Sequence, residues 1–446
     1  MASDTDTIVA AATPPGTGGI GVVRISGSDT ESIASTMLGS VPEPRVATYR
    51  SFRGSGGNPL DSGLALYFPA PASFTGEPVL ELHGHGGPVV VASVVNAVVE
   101  LGARQAEPGE FSKRAFLNGK LDLAQAEAIA DLIGSGTEQA ARAALRSLGG
   151  AFSSEVHALS EKLTDLRTYV EAAIDFPEEE VDFLSDGELG RRLADCAESF
   201  TALLEKASLG RLLRDGYQVV IVGKPNAGKS SLMNRLSGED TAIVTEIAGT
   251  TRDVLREQIN VNGLAVELVD TAGLRENPDR VEAEGIRRAR NAMANADAVL
   301  WIQDATDAGH DALDEPLPQD IPVTIVRNKI DISGDEPGVV EGDPPCVMLS
   351  AKTGAGVDAL HERIQALAGF RDTGEGAFTA RRRHVHALRA AAGHFEAGRA
   401  ALETGRAGEL LAEELRLAQQ ELGSITGEVT SDELLGRIFA AFCIGK

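Results

Sequence analysis

Residues 218–231 read Q-V-V-I-V-G-K-P-N-A-G-K-S-S. The apolar run Gln218–Val222 predicts a buried strand, and the run S-L-M-N-R-L-S-G after the loop predicts a helix. Gly223–Ser230 matches the pattern G-x-x-x-x-G-K-S in the strand-to-helix context that a P-loop needs. In such a loop, backbone N–H groups and the helix N-terminus bind phosphates. We therefore expect Lys229 to contact the β- and γ-phosphates of a nucleotide and Ser230 to bind Mg²⁺.

Three further short motifs follow in order, each after a predicted strand. Asp270–Gly273 reads D-T-A-G, where the acid can hold Mg²⁺ through water and the glycine N–H can sense a γ-phosphate. Asn328–Asp331 reads N-K-I-D, and its final carboxylate can accept both N1–H and N2–H₂ of guanine, a donor pair that adenine lacks. Ser350–Lys352 reads S-A-K and offers backbone N–H groups to guanine O6. Four motifs in this order at the carboxyl ends of strands predict a guanine-nucleotide site.

The segment between the P-loop and Asp270 reads T-E-I-A-G-T-T-R-D at residues 245–253. We expect Thr251 in this segment to complete the Mg²⁺ shell in the triphosphate state. Leu274 follows D-T-A-G, where Ras-like enzymes carry a glutamine that orients the attacking water, so another residue of the following loop must orient it. Asn226 has a neutral amide that can bind a monovalent cation, which would place positive charge where an arginine finger would otherwise lie.

Strands and helices alternate from residue 214 to residue 370, which predicts a doubly wound, mostly parallel α/β sheet of the Ras-like type. The residues predicted to bind GTP in this domain are Asn226, Ala227, Gly228, Lys229, Ser230, Ser231, Thr245, Glu246, Ile247, Ala248, Gly249, Thr250, Thr251, Asp270, Thr271, Ala272, Gly273, Asn328, Lys329, Asp331, Ser350, Ala351 and Lys352.

The rest of the chain has two other compositions. Residues 1–118 alternate short β-rich runs with Gly/Pro turns and predict an α+β domain. Residues 119–213 and 371–446 are rich in Ala, Leu, Glu and Arg at helical spacing and predict an all-α domain. The simplest arrangement inserts the nucleotide domain into one helical domain whose two parts pack together. Two separate helical domains are the alternative.

Composition restricts the class of protein. The 446 residues suggest about three domains. The net charge of −25 repels phosphate backbones at long range, so RNA would need a local basic patch or a basic partner. The three cysteines are far apart, which argues against a disulfide framework. We see no signal peptide, and the apolar run Val89–Leu101 is too short to span a bilayer, so we expect a reduced, cytoplasmic protein.

Four stretches outside the nucleotide domain carry a family resemblance. They are D-T-I-V-A-A-A-T-P-P-G-T-G-G-I-G-V-V-R-I-S-G (6–27), F-T-G-E-P-V-L-E-L-H-G-H-G-G-P-V-V (74–90), P-G-E-F-S-K-R-A-F-L-N-G-K-L-D-L-A-Q-A-E-A-I-A-D-L-I (108–133) and E-L-L-G-R-I-F-A-A-F-C-I-G-K (433–446). Together with Asn226, Leu274 and Glu282, they resemble the MnmE (TrmE) family of tRNA-uridine modification GTPases, within the TrmE-Era-EngA-YihA-Septin-like group. Thr17 departs from the family, which often has an arginine there.

The resemblance implies a K⁺-dependent GTPase that forms a homodimer through an N-terminal domain binding a tetrahydrofolate derivative. In a heterotetramer with the FAD-dependent partner MnmG, it would add a (carboxymethyl)aminomethyl group at C5 of the wobble uridine of certain tRNAs. No membrane association is implied.

The resemblance also assigns individual residues. The implied ligands and contacts are Asn226, Thr245, Ile247 and Thr250 for K⁺, Ser230 and Thr251 for Mg²⁺, and Arg24, Glu81, Lys120 and Lys446 for folate. Glu282 is the implied catalytic residue that orients the attacking water. Without the resemblance, Glu282 would be interpreted as a solvated acid.

Two other functions stay open at the level of sequence. A regulatory ribosome-assembly GTPase would bind RNA and modify nothing, and it usually carries an attached module such as a KH domain. We find no G-x-x-G loop in a basic setting that would indicate one. A folate-dependent one-carbon transferase would use GTP only as a regulator.

Overall fold

The computed structural model describes residues 6–175, 187–224, 226–239, 256–270, 296–307, 321–369, 376–405, 408–429 and 431–445. The chain divides into two units. Unit 1 consists of Met1–Ala130, Leu148–Leu193 and Ala390–Lys446, and unit 2 consists of Asp131–Ser147 and Ala194–Arg389.

Strands and helices are numbered along the described chain. The strands are β1 (Ile8–Ala11), β2 (Gly18–Ser26), β3 (Thr48–Arg53), β4 (Pro59–Phe68), β5 (Val79–Gly86), β6 (Arg104–Gln105), β7 (Tyr217–Gly223), β8 (Arg256–Val261), β9 (Leu264–Asp270), β10 (Ala298–Asp304), β11 (Val323–Asn328), β12 (Gly338–Val340) and β13 (Cys346–Met348). The helices are α1 (Thr30–Leu38), α2 (Pro88–Glu100), α3 (Glu110–Leu117), α4 (Leu123–Ile133), α5 (Glu138–Leu148), α6 (Ala151–Asp175), α7 (Gly187–Asp215), α8 (Lys229–Glu239), α9 (Ile330–Ser333), α10 (Val357–Leu367), α11 (Arg382–Gly405), α12 (Gly408–Thr426) and α13 (Asp432–Ala440).

The first sheet of unit 1 has the strand order β3-β4-β5-β2-β1-β6. Its neighbours are antiparallel except for β1 and β6, which are parallel. Alternating side chains give the sheet two faces. Val23, Leu82 and Tyr67 are buried in a core that includes residues of α1 and α2. Arg24 and Glu81 alternate with these residues along β2 and β5, and they therefore lie on the opposite face.

Helix α3 contributes to that opposite face, where Phe111 packs with apolar residues of β1. An ion-pair network adds to this contact. Arg114, whose side chain is 5% exposed, pairs with Asp6, Glu77 and Glu110. A hydrogen bond from Arg104 lowers the pKa of Asp6, so the network stays charged at neutral pH. This buried arginine therefore links the N-terminus, the segment before β5 and α3.

Two helical contacts complete unit 1. Helices α6 and α12 lie side by side, and Gln419 of α12 accepts a hydrogen bond from Arg167 Nη1 at 2.7 Å and donates one to Thr164 Oγ1 at 2.6 Å. Helix α13 packs Phe439 near Phe116 of α3, with ring centroids 6.5 Å apart. Ser431 caps α13 by accepting the Leu434 N–H.

Unit 2 contains the α/β sheet, in the order β12-β13-β11-β10-β7-β9-β8. Strands β9, β7, β10, β11 and β13 are parallel neighbours, whereas β8 and β12 pair antiparallel at the two edges. The central strands are apolar, as expected for parallel strands that are covered on both faces. Val219, Leu268 and Leu300 are fully buried.

One carboxylate joins the segments that precede and follow this sheet. Asp131 at the end of α4 accepts hydrogen bonds from Arg214 Nε at 2.9 Å and from Arg381 Nη2 at 2.7 Å. A second contact joins residues close in sequence to these: the Thr379 N–H donates a hydrogen bond to Ser147 Oγ at 2.9 Å. Within unit 2, the helical residues therefore hold both ends of the nucleotide-domain segment.

The predicted fold class, α+β followed by helices with an inserted α/β domain, is confirmed. The boundaries at residues 118, 213 and 370 stay a prediction. Four strands are predicted in residues 1–118, at Thr7–Ala10, Gly19–Ile25, Gly63–Phe68 and Val79–Leu82, and six in the α/β domain, and each has a counterpart in the structure. Strands β3, β6 and β12 are not predicted, and they are short or lie at sheet edges. The run T-Y-R-S-F-R of β3 buries only Phe52, so it lacks a clear apolar signal.

No helix in the described ranges combines the length and apolarity needed to cross a bilayer.

Candidate functional site

The predicted motif residues meet at the carboxyl edge of the sheet in unit 2. The parallel register places Gly223 beside Ile302, and Asn328 beside Asp304. Asp270 is the last residue of β9 and lies beside Ile221 of β7. The edge therefore presents the P-loop, the end of β9 and the N-K-I-D motif side by side, as ligand sites in parallel sheets require.

Two glycines make the P-loop sterically possible. Gly223 has φ +151, and a Cβ there would lie 2.4 Å from the Ile302 carbonyl oxygen. Gly228 has φ +96, and a Cβ there would lie 2.1 Å from Asn328 Nδ2. Any larger residue would displace the loop from the strand edge, and left-handed backbone is in any case unfavourable with a side chain.

Lys229 is held across the loop. Its side chain is largely buried, and Nζ donates to the carbonyl oxygens of Gly223 and Lys224, each at 2.8 Å. The ammonium group is thus positioned over the loop at the N-terminus of α8. A phosphate oxygen bound there would receive a charge-assisted hydrogen bond, which is stronger than the bonds to neutral carbonyls.

Asn328 connects the P-loop to both predicted base-recognition motifs. Its Nδ2 donates to the Ala227 carbonyl oxygen at 3.0 Å. Its Oδ1 accepts the Lys329 N–H at 2.8 Å and the Ala351 N–H at 2.9 Å. The side chain is buried, with 2% exposed. One amide therefore fixes the phosphate loop relative to the two loops that would hold the base.

Asp331 is exposed at the start of α9, directly after Lys329 and Ile330. The left-handed backbone of Lys329, with φ 74, turns the chain from β11 into α9. The fully buried Ser350 donates from Oγ to Asp331 Oδ1 at 2.7 Å. The S-A-K motif thus orients the carboxylate that we expect to accept the guanine N–H groups.

The sequence analysis missed Asp304, the last residue of β10. Its Oδ2 accepts Lys329 Nζ at 2.5 Å, and its Oδ1 accepts the Thr306 N–H at 2.9 Å. The hydrogen bond from Lys329, followed by that from Thr306, lowers the pKa of Asp304 to about 2. Asp304 therefore stays ionised and restrains the lysine expected to pack over the base. Its place at the carboxyl end of a strand was the signal that could have identified it.

Arg235 is a second residue that the sequence analysis missed. It lies on α8, and it donates from Nε to the Ala351 carbonyl at 3.0 Å and from Nη2 to the Lys352 carbonyl at 2.6 Å. It therefore holds the S-A-K loop against the helix that follows the P-loop. No local pattern distinguishes it from an ordinary helical arginine, so no sequence signal was available.

The remaining predicted residues of this domain fall into two groups. Within the described ranges, Asn226, Ser230, Ser231 and Lys352 are exposed, and Ala227 of the P-loop is buried. The residues outside the described ranges are Thr245, Glu246, Ile247, Ala248, Gly249, Thr250, Thr251, Thr271, Ala272, Gly273, Leu274 and Glu282, together with Lys446 at the C-terminus.

Unit 1 brings two of the predicted folate contacts together. Arg24 Nε donates to Glu81 Oε1 at 2.9 Å across β2 and β5. Glu81 Oε2 lies 3.1 Å from His83 Nε2. The Arg24 guanidinium carbon lies 5.6 Å from the centroid of the Phe74 ring, within cation–π range. A positive charge, a negative charge and an aromatic ring thus lie next to one another. The side chains of Arg24 and Glu81 are both partly exposed.

Lys120, which follows α3, contacts the loop that contains Phe74. Its Nζ donates to the Pro71 carbonyl oxygen at 3.1 Å, and the side chain is exposed. Gly76 approaches its stem, because a Cβ at Gly76 would lie 3.5 Å from Lys120 Cγ. Among the described residues, Lys120 has no hydrogen bond or ion pair with Arg24 or Glu81, although the loop of residues 69–77 contacts both Arg24 and Lys120.

A separate cavity of about 700 Å³ lies in unit 1. Its lining is mainly apolar, with Thr13, Asn96 and Gln105 among the polar residues and Ile444 at the C-terminal end of the chain. This volume is typical of small-molecule sites. Arg24, Glu81 and Lys120 do not line it, so the predicted folate contacts and the cavity are distinct features.

Solved structures of nucleotide-binding proteins resemble parts of the chain. A GTP-binding protein from Sulfolobus solfataricus in complex with GDP is 16% identical over 47% of this chain and 67% of its own, with a TM-score of 0.25. The cytosolic domain of the T. maritima FeoB iron transporter in its GMPPNP form is 18% identical over 48% of this chain and 100% of its own, with a TM-score of 0.26. Translation elongation factor SelB from Methanococcus maripaludis is 19% identical over 34% of each chain, with a TM-score of 0.23.

Two family models together match nearly the whole sequence. The model of the GTP-binding protein TrmE N-terminus matches residues 7–120. The model of the MnmE helical domain matches residues 123–443, which is well over half of the chain. With the P-loop and guanine motifs assembled at one sheet edge, these matches show that the chain belongs to the MnmE (TrmE) family of tRNA-modification GTPases.

Proposed function

We propose that this protein is a K⁺-dependent GTPase that acts with MnmG to add a (carboxymethyl)aminomethyl group at C5 of the wobble uridine of certain tRNAs. The observation that carries the proposal is the link made by Asn328 between the P-loop and both base-recognition loops. It makes phosphate binding and guanine binding parts of one site in a member of this family.

Each described side chain has a defined task in nucleotide binding. Lys229 and the backbone N–H groups at the start of α8 neutralise the phosphates. Asp331, oriented by Ser350, accepts the two guanine donors, and Lys329, restrained by Asp304, covers the base. Adenine has no N–H at N1 and no amino group at C2, so it would leave the Asp331 carboxylate without either donor, and an unpaired polar group is costly.

The donor chemistry at the loop fits two cations. Ser230 presents an exposed hydroxyl in the first turn of α8, and Asp270 ends the neighbouring strand, which suits the oxygen ligands that Mg²⁺ prefers. Asn226 presents an exposed amide in the loop for K⁺. We propose Thr251 as a further Mg²⁺ ligand and Thr245, Ile247 and Thr250 as further K⁺ ligands. Bound cations would supply positive charge next to the phosphates as negative charge develops.

Glu282 is the proposed catalytic residue. Because Leu274 cannot orient water, a carboxylate from the following loop would accept a hydrogen bond from the attacking water and hold it in line with the γ-phosphate. Both residues lie outside the described ranges.

The N-terminal unit is the proposed site for a tetrahydrofolate derivative. Glu81 can accept pterin N–H groups, and Arg24, Lys120 and Lys446 can pair with the glutamate tail. Arg24 already neutralises Glu81 and keeps it in place on the sheet. Binding measured for Glu81→Gln, with Asn96→Ala in the separate cavity as the comparison, decides which feature holds the ligand.

The proposed assembly is a homodimer formed through the N-terminal domain and a heterotetramer with MnmG in the cytoplasm. The test of function is mass spectrometry of wobble uridines in cells that lack this protein and in cells complemented with it. We expect the modified uridine to disappear and to return with wild-type protein. Unchanged uridines would overturn the tRNA role and favour a ribosome-assembly GTPase.

A further experiment separates a hydrolysis-driven enzyme from a folate-dependent transferase that GTP merely regulates. Modification reconstituted with MnmG is compared in GTP and in a non-hydrolysable analogue. We expect modification only with GTP. Equal modification with both nucleotides would identify GTP as a regulator.

A further inference from the structure

The N-terminal part of α11 carries a basic surface in a strongly acidic chain. Of the 446 residues, 66 are acidic, which is about one in seven. Residues 376–395 contain no Asp or Glu, yet they contain Arg381, Arg382, Arg383, Arg389 and three histidines. The charge of this stretch is therefore opposite to that of the whole chain.

Three of these side chains share one exposed helix face. Arg382, His386 and Arg389 are spaced by four and three residues, so they project from the same side of α11. The Arg382 side chain is 66% exposed, and His386 and Arg389 are exposed as well. We call these three residues the α11 basic face.

Part of this charge is neutralised, but His386 and Arg389 of the face are not paired within the described residues. Arg381 is bound to Asp131, but it is mostly buried and does not belong to the face. Arg382 lies 3.7 Å from Asp215 Oδ2, whose carboxylate also pairs with Arg214. Within the described part of the chain, His386 and Arg389 have no ion-pair or hydrogen-bond partner. The α11 basic face is thus available to an anion.

Four other helical arginines in the described part of the chain illustrate the usual pairing with a glutamate three or four residues away. The pairs are Arg142–Glu138, Arg191–Glu188, Arg399–Glu396 and Arg416–Glu413. This is the usual way to stabilise a solvated helix face. Arg382 and Arg389 have Phe, Thr, Val, His, Ala or Gly at those spacings. Arg382 and Arg389 therefore lack the intrahelical pairs that neutralise those four arginines.

The first turn of α11 also contains no acidic residue, although acidic residues are favoured at the N-termini of helices. A helix N-terminus is electropositive and prefers acidic residues, and a Glu or Gln at the third helical position commonly accepts the cap N–H. In α11 that position is His384, whose Nδ1 accepts the Arg381 N–H at 3.0 Å. The cap is therefore completed without a carboxylate.

We propose that the α11 basic face binds the phosphodiester backbone of tRNA. The inference rests on the proposed function, because tRNA is the polyanion on which that function acts. A net charge of −25 repels RNA at long range, so the chain needs a local region where phosphates are attracted. Arginine contacts to phosphates supply affinity that does not depend on sequence and falls with salt.

The experiment measures the tRNA affinity of the full-length protein by fluorescence anisotropy. The KCl concentration is varied from about 50 to about 200 mM, because affinity that depends on phosphate contacts falls steeply over this range. It is done without nucleotide, so the result does not depend on GTP hydrolysis. The test variant is Arg382→Gln with Arg389→Gln. The matched control is Arg399→Gln with Arg416→Gln, which removes the same charge from arginines that are paired with glutamates.

We expect the test variant to bind tRNA about tenfold more weakly at low salt and to reduce the slope of log affinity against log salt by about 2, one for each lost phosphate contact. The control should bind like wild type. Arg382→Lys with Arg389→Lys keeps the charge and should retain most of the affinity, which separates phosphate binding from a folding defect.

Two results would overturn the proposal. The first is equal tRNA affinity and salt slope in wild type and the test variant, which includes an absence of tRNA binding by both proteins at about 50 mM salt, where phosphate contacts are screened least. The other is unchanged tRNA affinity with loss of MnmG binding, which would assign the face to a protein partner. Either result can occur while GTP hydrolysis and its K⁺ dependence stand.

Discussion

Asn328 Nδ2 donates a hydrogen bond to the Ala227 carbonyl oxygen at 3.0 Å, and this bond joins the guanine motif to the P-loop. The two residues are 101 positions apart in sequence. Because Asn328 is buried and also accepts N–H groups from Lys329 and Ala351, the three loops are expected to move as one body. Binding of either end of the nucleotide would thus organise the site for the other end.

The close approach of Gly228 to Asn328 predicts a severe effect of Gly228→Ala. The new Cβ would lie 2.1 Å from Asn328 Nδ2, on left-handed backbone. We expect a loss of about 1 to 3 kcal/mol in stability from strain and GDP binding reduced by about 100-fold or more, measured by calorimetric unfolding and titration. Gly238→Ala in α8 is the control, since nothing lies within 4 Å of a Cβ built there. Normal GDP binding by Gly228→Ala would contradict the steric argument.

Asp331→Asn should exchange the base specificity. An amide presents a donor to one of the two guanine N–H groups, so GTP affinity should fall by about 10- to 100-fold, as expected for a lost hydrogen bond to a charged group. Xanthosine triphosphate carries an oxygen at C2 and should then bind better than GTP. Competition titrations with both nucleotides measure the exchange. Unchanged GTP affinity would show that Asp331 does not contact the base.

Asp304→Asn should weaken GDP binding by about threefold to fivefold, because Lys329 loses a partly exposed ion pair. Glu341→Gln removes the same charge from an exposed position and should bind GDP normally. If both variants bound GDP like wild type, Asp304 would have no role in positioning the lysine.

The pH dependence of the Asp304 contribution has a defined direction. The pKa of Asp304 is lowered to about 2 in the folded protein from an ordinary 3.8. Its stabilisation is therefore complete above the ordinary pKa and is lost as the pH falls toward the folded pKa. The unfolding-temperature difference between wild type and Asp304→Asn should be constant from about pH 7 to pH 5 and should shrink between about pH 4 and pH 2. A difference that already shrinks above about pH 5 would show that another group is responsible.

Glu282→Ala tests the proposed water-orienting carboxylate. We expect kcat for GTP hydrolysis to fall by about 100-fold or more while GTP affinity stays unchanged, because the group acts only in the hydrolytic step. Glu276→Ala is the comparison within the same loop. Full turnover by Glu282→Ala would return this residue to the role of a solvated acid.

The sequence predicted the sheet of unit 2 well because parallel strands are buried on both faces and appear as continuous apolar runs, such as Gln218–Val222. It also predicted that the P-loop, N-K-I-D and S-A-K motifs come directly after those strands. It did not predict the contacts of Arg235 or Asp304, since each depends on which strand ends become neighbours in space. The family resemblance named Arg24 and Glu81 only as folate contacts. It did not predict that they pair with each other, because cross-strand register determines that contact.

The central claim is K⁺-dependent hydrolysis of GTP at the loop that contains Asn226. The most direct measurement compares GTP turnover by the wild-type protein in K⁺ and in Na⁺ at equal ionic strength with Mg²⁺ present, and repeats both for Asn226→Ala. We expect wild-type turnover to be on the order of 100-fold faster in K⁺ and the variant to be slow in both cations. Equal wild-type rates in K⁺ and Na⁺ would contradict the account.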